Sequence, residues 1–255
     1  MSLQETNNKA AKLRPIYFLA DHAYCCELED GAIILELRTG TYMGVHARYL
    51  PVIKSRVRNW PDSLHTGDRA TSSADTDSDA VFAGLLKRGI LSKSPAPARN
   101  AVAPPPHASL TIPAVMCVDR FAPLPFIGQF LHAFIKTILW HGDRRMISLL
   151  DWIQRKQHSI NRKGLAPDPH RLLLTVMYFC RLRLWFYTSD QHCLFDSLAL
   201  AVYLTRQAIA CTFLIGVSTK PFTAHAWVQV GDLVLNDTAE HVQTFTPILV
   251  VGAPA

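Results

Sequence analysis

An α+β fold in two units is the architecture this sequence predicts, and three observations carry it. Apolar residues alternate with a period of two across residues 23–45, around the pairs Asp30-Gly31 and Thr39-Gly40. They recur at helical spacing from about 119 to 187, and the period of two returns from Cys211 onward. Between these regions "SPAPARNAVAPPPH", residues 94–107, is rich in Pro and Ala and reads as a semi-stiff linker. The units are therefore 15–93 and 108–255, joined by 94–107.

In the first unit, "AYCCELEDGAIILELRTGTYMGV" reads as three strands joined by two turns. "HARYLPVIKSRVRNW" spaces Leu50, Ile53, Val57 and Trp60 for a helix, with Pro51 tolerable only in its first turn. Residues 62–80 are polar and acidic and read as a surface loop. "DSDAVFAGLLKRG" is a second helix, capped by Ser78 or Asp79 and ended by Gly89. In the second unit, helices are expected over about 119–140, 143–157 and 168–187, the last with Pro169 in its first turn. "SDQHCLFDSLALAVYLTRQAIA" is a further helix, capped by Ser189 or Asp190. "CTFLIGV", "AHAWVQV", "LVLND" and "TPILVV" then read as strands of an antiparallel sheet.

Composition narrows the class. With 49% hydrophobic and 18% charged residues, the 255-residue chain has the makings of a packed core. A net charge of +6 and a pI of about 9.1 admit an acidic partner without choosing one. The N-terminus lacks an apolar signal region, so a cytoplasmic protein is expected. The most apolar window, residues 121–141, is interrupted by Pro123, Pro125, Gln129, His132 and Lys136, unlike a membrane span. The six cysteines form no C-x-x-C pair and no metal-like cluster, so reduced thiols and no bound metal are expected. Arg144, Arg145, Arg155, Lys156, Arg162, Lys163, Arg181 and Arg183 read as a solvated face.

One cysteine stands apart. Cys193 falls in the first turn of its helix, where unpaired N–H groups and the positive end of the helix dipole favour a thiolate. A thiolate nucleophile needs an imidazole to manage protons, and the imidazole needs an orienting carboxylate. Cys193, His225 and Asp237 follow in that order on helix, strand and strand, the arrangement of papain and the transglutaminases. Gln191 is a candidate oxyanion donor beside the Cys193 N–H. The structural alternatives are a buried thiol, a strand histidine and a turn aspartate. A plain two-residue turn at Gly231-Asp232 places Asp237 opposite Ala226, with His225 pointing to the other side. A triad is therefore expected to need an odd-length loop or a bulge there, with Asp232 a more distant substitute carboxylate.

The strings "CLFDSLAL", "FLIGV", "PFTAHAWVQV" and "LVLND" together resemble the leader peptidases of lasso-peptide biosynthesis, over about residues 190–251. That resemblance implies Cys193 as nucleophile, His225 as base and Asp237 as third member, in a papain/transglutaminase-like cysteine peptidase domain. It implies that residues 15–93 form a winged-helix-like recognition element, similar to the peptide chaperone of pyrroloquinoline-quinone biosynthesis. In such elements a leader peptide adds as a strand to the sheet edge. Tyr42 and Val45 then lie near the edge, Leu86 on the adjoining helix, and Lys87 and Arg88 where they can pair with leader acids. Solvated charges are the alternative for these two. The implied partners are a precursor peptide and an asparagine-synthetase-like cyclase, with no nucleic acid and no membrane. The absence of a phosphate-binding loop leaves no cofactor to expect. Two other functions compete: acyl transfer by the same triad, and non-enzymatic binding by a winged helix.

Overall fold

A computed structural model describes residues 16–61, 76–95, 107–112, 122–140, 143–164, 168–187 and 192–252, with the side chains of 76–78 and 143–144 left aside. Most of the acidic loop and of the Pro/Ala stretch lies outside these residues.

The N-terminal unit opens with β1 (Phe18–Leu19), followed by a meander of β2 (Ala23–Leu28), β3 (Gly31–Glu36) and β4 (Thr41–His46) in the order β2-β3-β4. Leu28 faces Gly31, so the turn residues are Glu29 and Asp30, and Gly31 already belongs to β3. After a 3-10 turn comes α1 (Leu50–Arg56), with Pro51 in its first turn, where a missing N–H costs no hydrogen bond. This helix is shorter than its apolar spacing suggests. Val57 is extended and bridges Tyr17, and Trp60 lies beyond the helix with its indole N–H on Glu27 Oε1 at 2.8 Å. Next is α2 (Thr76–Lys87), which starts before Ser78 and Asp79, so neither is its cap. Gly89, at a φ of +71°, ends it and leads to β5 (Leu91–Ser92), which pairs with β1.

Strand β3 is buried on both faces. Ala32 and Ile34 join Ala23, Ile53, Phe82 and Leu85 in the N-terminal core. Ile33 and Leu35, pointing the other way, join Cys26 in the large core built around the C-terminal helices and sheet. The two units thus share one strand as a common wall. Each fully buried Ile or Leu there contributes about 1.5–3 kcal/mol.

The C-terminal unit comprises β6 (Leu110–Thr111), α3 (Leu124–Trp140), α4 (Asp143–Asn161), α5 (Pro169–Arg183), α6 (Cys193–Arg206), β7 (Thr212–Thr219), β8 (Phe222–Val230), β9 (Leu233–Val234), α7 (Ala239–Val242) and β10 (Thr246–Val251). The sheet order is β10-β7-β8-β9-β6. It is antiparallel except at one edge: β6 runs parallel to β9, because it arrives from the linker and not through a hairpin. Helix α6 is the axis of the unit, with Leu198 to Leu204 fully buried beneath the sheet and among α3, α4 and α5. The buried amide of Gln157 ties α4 to this axis, donating to Thr205 Oγ1 at 2.8 Å and accepting from the Cys211 N–H at 3.0 Å. The N-terminal sheet packs against β10 through β2 and β3. No helix among the described residues is long and apolar enough to cross a membrane.

Candidate active site

The site forms where the sheet ends early. β8 carries nine residues, but β9 pairs with only two of them, Gln229 with Val234 and Val230 with Leu233. The connecting turn is a strict two-residue turn, with Gly231 at a φ of +58° in the first central position, as in a type II′ turn. The expected odd-length loop or bulge is therefore absent. The ladder is broken further along. The Leu235 N–H still donates to the Val228 carbonyl at 2.9 Å, but the Val228 N–H turns to the side chain of Asn236, Oδ1 at 2.9 Å. With a side-chain oxygen standing in for the next backbone carbonyl, the chain leaves the sheet at Asn236. Asp237 is then free of strand alternation and comes round to His225.

The departure leaves the β8 edge open to α6. The Ala226 carbonyl accepts from Ser197 Oγ at 2.8 Å, and the Ala226 N–H reaches the Cys193 sulfur. Cys193 is the first residue of α6, and the cap is His192, with no side-chain hydrogen bond of its own. The expected caps Ser189 and Asp190 lie outside the described residues, as does Gln191, the candidate oxyanion donor.

Cys193, His225 and Asp237 meet. The thiol hydrogen-bonds to His225. Nε2 of His225 lies 2.5 Å from Asp237 Oδ2, which leaves Nδ1 for the thiol. The Nε2 contact is close enough for charge pairing but is not directed well enough to satisfy Nε2 as a hydrogen bond. The electrostatics favour an ion pair. The His225 hydrogen bond, opposed by burial and assisted by the Ala226 N–H, lowers the Cys193 pKa below its usual value. Burial pulls His225 down, but Asp237 and Cys193 outweigh it and raise the imidazole to about 9. Burial would raise Asp237, yet His225, His241 and the Thr238 N–H bring it to about 2. An imidazolium and a carboxylate therefore coexist at neutral pH, and their neighbourhood shifts the Cys193 thiol toward its thiolate.

Several residues that build the site are not evident from the motif. His241, on the short α7, places Nδ1 2.9 Å from Asp237 Oδ2, so one carboxylate oxygen serves two imidazoles. Its spacing of four from Asp237 was the available signal. Ring centroids of His225 and His241 are 4.8 Å apart, and Phe245 lies 5.3 Å from each. β6 braces this loop: Thr111 Oγ1 accepts from the Ala239 N–H at 2.8 Å, and the Ala108 carbonyl accepts from Gln243 at 2.6 Å. Asp232, the substitute carboxylate, is spent on the Ser109 hydroxyl in the same brace. Beneath lies a buried ion pair, Arg183 Nη1 to Asp196 Oδ2 at 2.8 Å, so Arg183 does not belong to a solvated face. Asp196 also takes Tyr187 Oη at 3.0 Å and Asn236 Nδ2 at 3.1 Å, and Asn236 reaches Ser197 Oγ at 2.9 Å.

His225, Asp237 and His241 have metal-binding donor types, with ligand atoms within 4.8 Å of one another. The thiol on the far side of His225 makes proton transfer the fuller account of the cluster.

The residues expected around the β4 edge separate. Among the described residues β4 is an edge strand. Val45 points into the N-terminal core and offers a ligand only its backbone. Leu86 is half-buried against that core, while Lys87 and Arg88 are exposed, Arg88 reaching Met43 Sδ at 2.7 Å. Tyr42 faces the other way, toward the C-terminal unit. Its ring meets Phe222 of β8 edge-on at 5.5 Å. Burial, then the charge of Cys193, push its phenol up to about 12, so it stays a neutral O–H on the Cys193 side of the sheet.

Residues 139–250 match the model of the transglutaminase-like superfamily. The match runs from the end of α3 through most of β10 and takes in Cys193, His225 and Asp237. This stretch of the chain is a transglutaminase-like superfamily domain. No curated protein and no solved structure matches the chain.

Proposed function

We propose that the protein is a cysteine peptidase that removes the leader from a ribosomally made lasso-peptide precursor before ring closure. The observation that carries the enzymatic part is the continuous chain Cys193–His225–Asp237, with a thiol pKa lowered and an imidazole pKa raised by their mutual contact. The superfamily, which includes cysteine peptidases and acyl transferases, is consistent with it. The leader role rests on the resemblance of residues 190–251 and is supported by the position of β4 as an edge strand among the described residues.

In this reading a leader strand pairs with β4, its main chain supplying affinity. The exposed charges of Lys87 and Arg88 meet leader acids. The Cys193 thiolate attacks the carbonyl carbon of the last leader residue, forming a C–S bond while the carbonyl electrons move to oxygen. The Cys193 backbone N–H, at a helix start, stabilises that oxygen, and Gln191 is the candidate second donor. Collapse breaks the C–N bond as His225 gives its proton to the departing core amine. Water then attacks the thioester, His225 takes the water's proton, and the leader leaves as a free acid with the thiolate restored. The freed core amine is the group an ATP-using, asparagine-synthetase-like cyclase partner joins to a side-chain carboxylate.

Incubation with candidate precursor peptides, read by intact mass, tests this. A leader ending in a free acid, with a free core amine, is the expected product pair. A new amide in its place makes the activity acyl transfer, and cleavage by a Cys193→Ala variant overturns the mechanism.

A further inference from the structure

The N-terminal unit reaches the nucleophile. In the β3–β4 register Tyr42 stands opposite Leu35, the residue that enters the large C-terminal core, so both side chains leave the sheet on that side. Tyr42 packs on the rim of that core together with Leu194, the neighbour of Cys193, and Ala224, the neighbour of His225. Its ring contact is Phe222, which is 49% exposed for so large an apolar side chain. Phe222, Ala224 and Ala226 lie on one face of β8 by strand alternation, the face toward α6. Along β4 on the same side the next position is Gly44, where an added Cβ would meet only Ile33 Cδ1, at 4.0 Å. The surface from the β4 edge to Cys193 is thus low at Gly44 and walled by two aromatic rings. The Lys220–Asp30 ion pair, 3.0 Å, joins the β7–β8 turn to the β2–β3 turn beside it.

We infer that Tyr42 and Phe222 together form a substrate subsite, built from both units, that receives an apolar side chain on the acyl side of the scissile bond. The inference rests on the peptidase reading, in which the segment between β4 and Cys193 is the end of the leader. Phe222 lies three residues from His225, about 10 Å along an extended strand and on the opposite face, the one toward α6, which begins at Cys193. This places the ring pair beside the residue preceding the one acylated. An aromatic pair with one open face suits a Leu, Ile or Val side chain and gains little from Gly.

The test uses two affinity probes, benzyloxycarbonyl-Leu-Ala chloromethyl ketone and its Gly-Ala counterpart, on the full chain. The thiolate displaces chloride, and labelling of Cys193 is followed by intact mass and peptide mapping. The readout is the ratio of the two rates on one protein, so a general change in thiol reactivity cancels. The wild type is expected to prefer the Leu probe by about tenfold or more. Tyr42→Ala and Phe222→Ala should each bring the ratio toward one, and Tyr42→Phe should keep it. Thermal unfolding confirms that each variant is folded. A ratio near one in the wild type, or a preference that survives both alanine variants, overturns the subsite while leaving the nucleophile intact. Failure of Cys193 to label with either probe or with iodoacetamide overturns the nucleophile, and the subsite with it.

Discussion

Asn236→Ala is the perturbation that separates a scaffold built by this side chain from a scaffold that merely contains it. The amide makes three contacts: it accepts from the Val228 N–H at 2.9 Å, and it donates to Asp196 Oδ2 at 3.1 Å and Ser197 Oγ at 2.9 Å. Asp196 keeps Arg183 and Tyr187, so its charge stays paired and the loss there is one charge-assisted bond, about 1.5 kcal/mol. Ser197 keeps its acceptor on Ala226, so its share is small. The Val228 N–H loses its acceptor in a part-buried setting, which costs about 1–2 kcal/mol. The sum is about 3 kcal/mol, read as a lowered urea midpoint with an unchanged slope. Function should fall by more than stability explains. Without the amide, the chain after Leu235 has no reason to leave the ladder at that point, and Asp237 loses its approach to His225. The pH profile of Cys193 alkylation by iodoacetamide should then move upward. A loss under about 1 kcal/mol with an unmoved alkylation profile would refute the claim that Asn236 sets the strand departure.

Three further outcomes follow from the same contacts. In Asp237→Asn, His225 loses the larger of the two contacts that raise its pKa to about 9, while the burial that lowers it remains; the hold of the imidazolium on the Cys193 pKa weakens accordingly. The alkylation midpoint should rise in that variant, whereas the wild-type thiolate persists below the usual thiol range. Arg183→Ala leaves the Asp196 carboxylate buried with neutral partners only, at a cost of about 3–5 kcal/mol in urea unfolding. Gly216→Ala places a Cβ 2.7 Å from Phe245 Cβ and 2.8 Å from the Trp227 ring, directly across the ladder from His225. It should cost about 1–3 kcal/mol and slow Cys193 labelling, because Phe245 packs on the His225 ring.

The pattern of the chain shows some of this directly and hides the rest for definable reasons. Helix starts at Pro51 and Pro169, the stop at Gly89, and the strands from 212 to 251 follow from period and punctuation, because each depends on neighbours in sequence. The thiol at a helix start and the histidine on a strand are legible for the same reason. The run of apolar residues in "GAIIL" carries a signal as well, since a continuous apolar strand is one buried on both faces, but the alternation on either side of it points to a single core.

What period cannot express is a ladder that one side chain cuts short. Strand alternation alone puts Asp237 and His225 on opposite faces, and a turn of even length confirms that register. The conflict disappears only when Asn236 is seen to replace a backbone acceptor, and its partners on α6 are 39 and 40 residues away. Arg183 is hidden likewise: nothing local distinguishes it from Arg181, and only the fold supplies Asp196. Tyr42 is the strongest instance. As an edge-strand residue it reads as part of a recognition surface, yet its register with Leu35 turns it toward the thiol of the other unit. The catalytic groups can be named from local chemistry, but the walls that decide what reaches them are long-range contacts. Specificity is therefore the property least visible in the motif, and selectivity measured at Tyr42 and Phe222 is the more searching test of the fold.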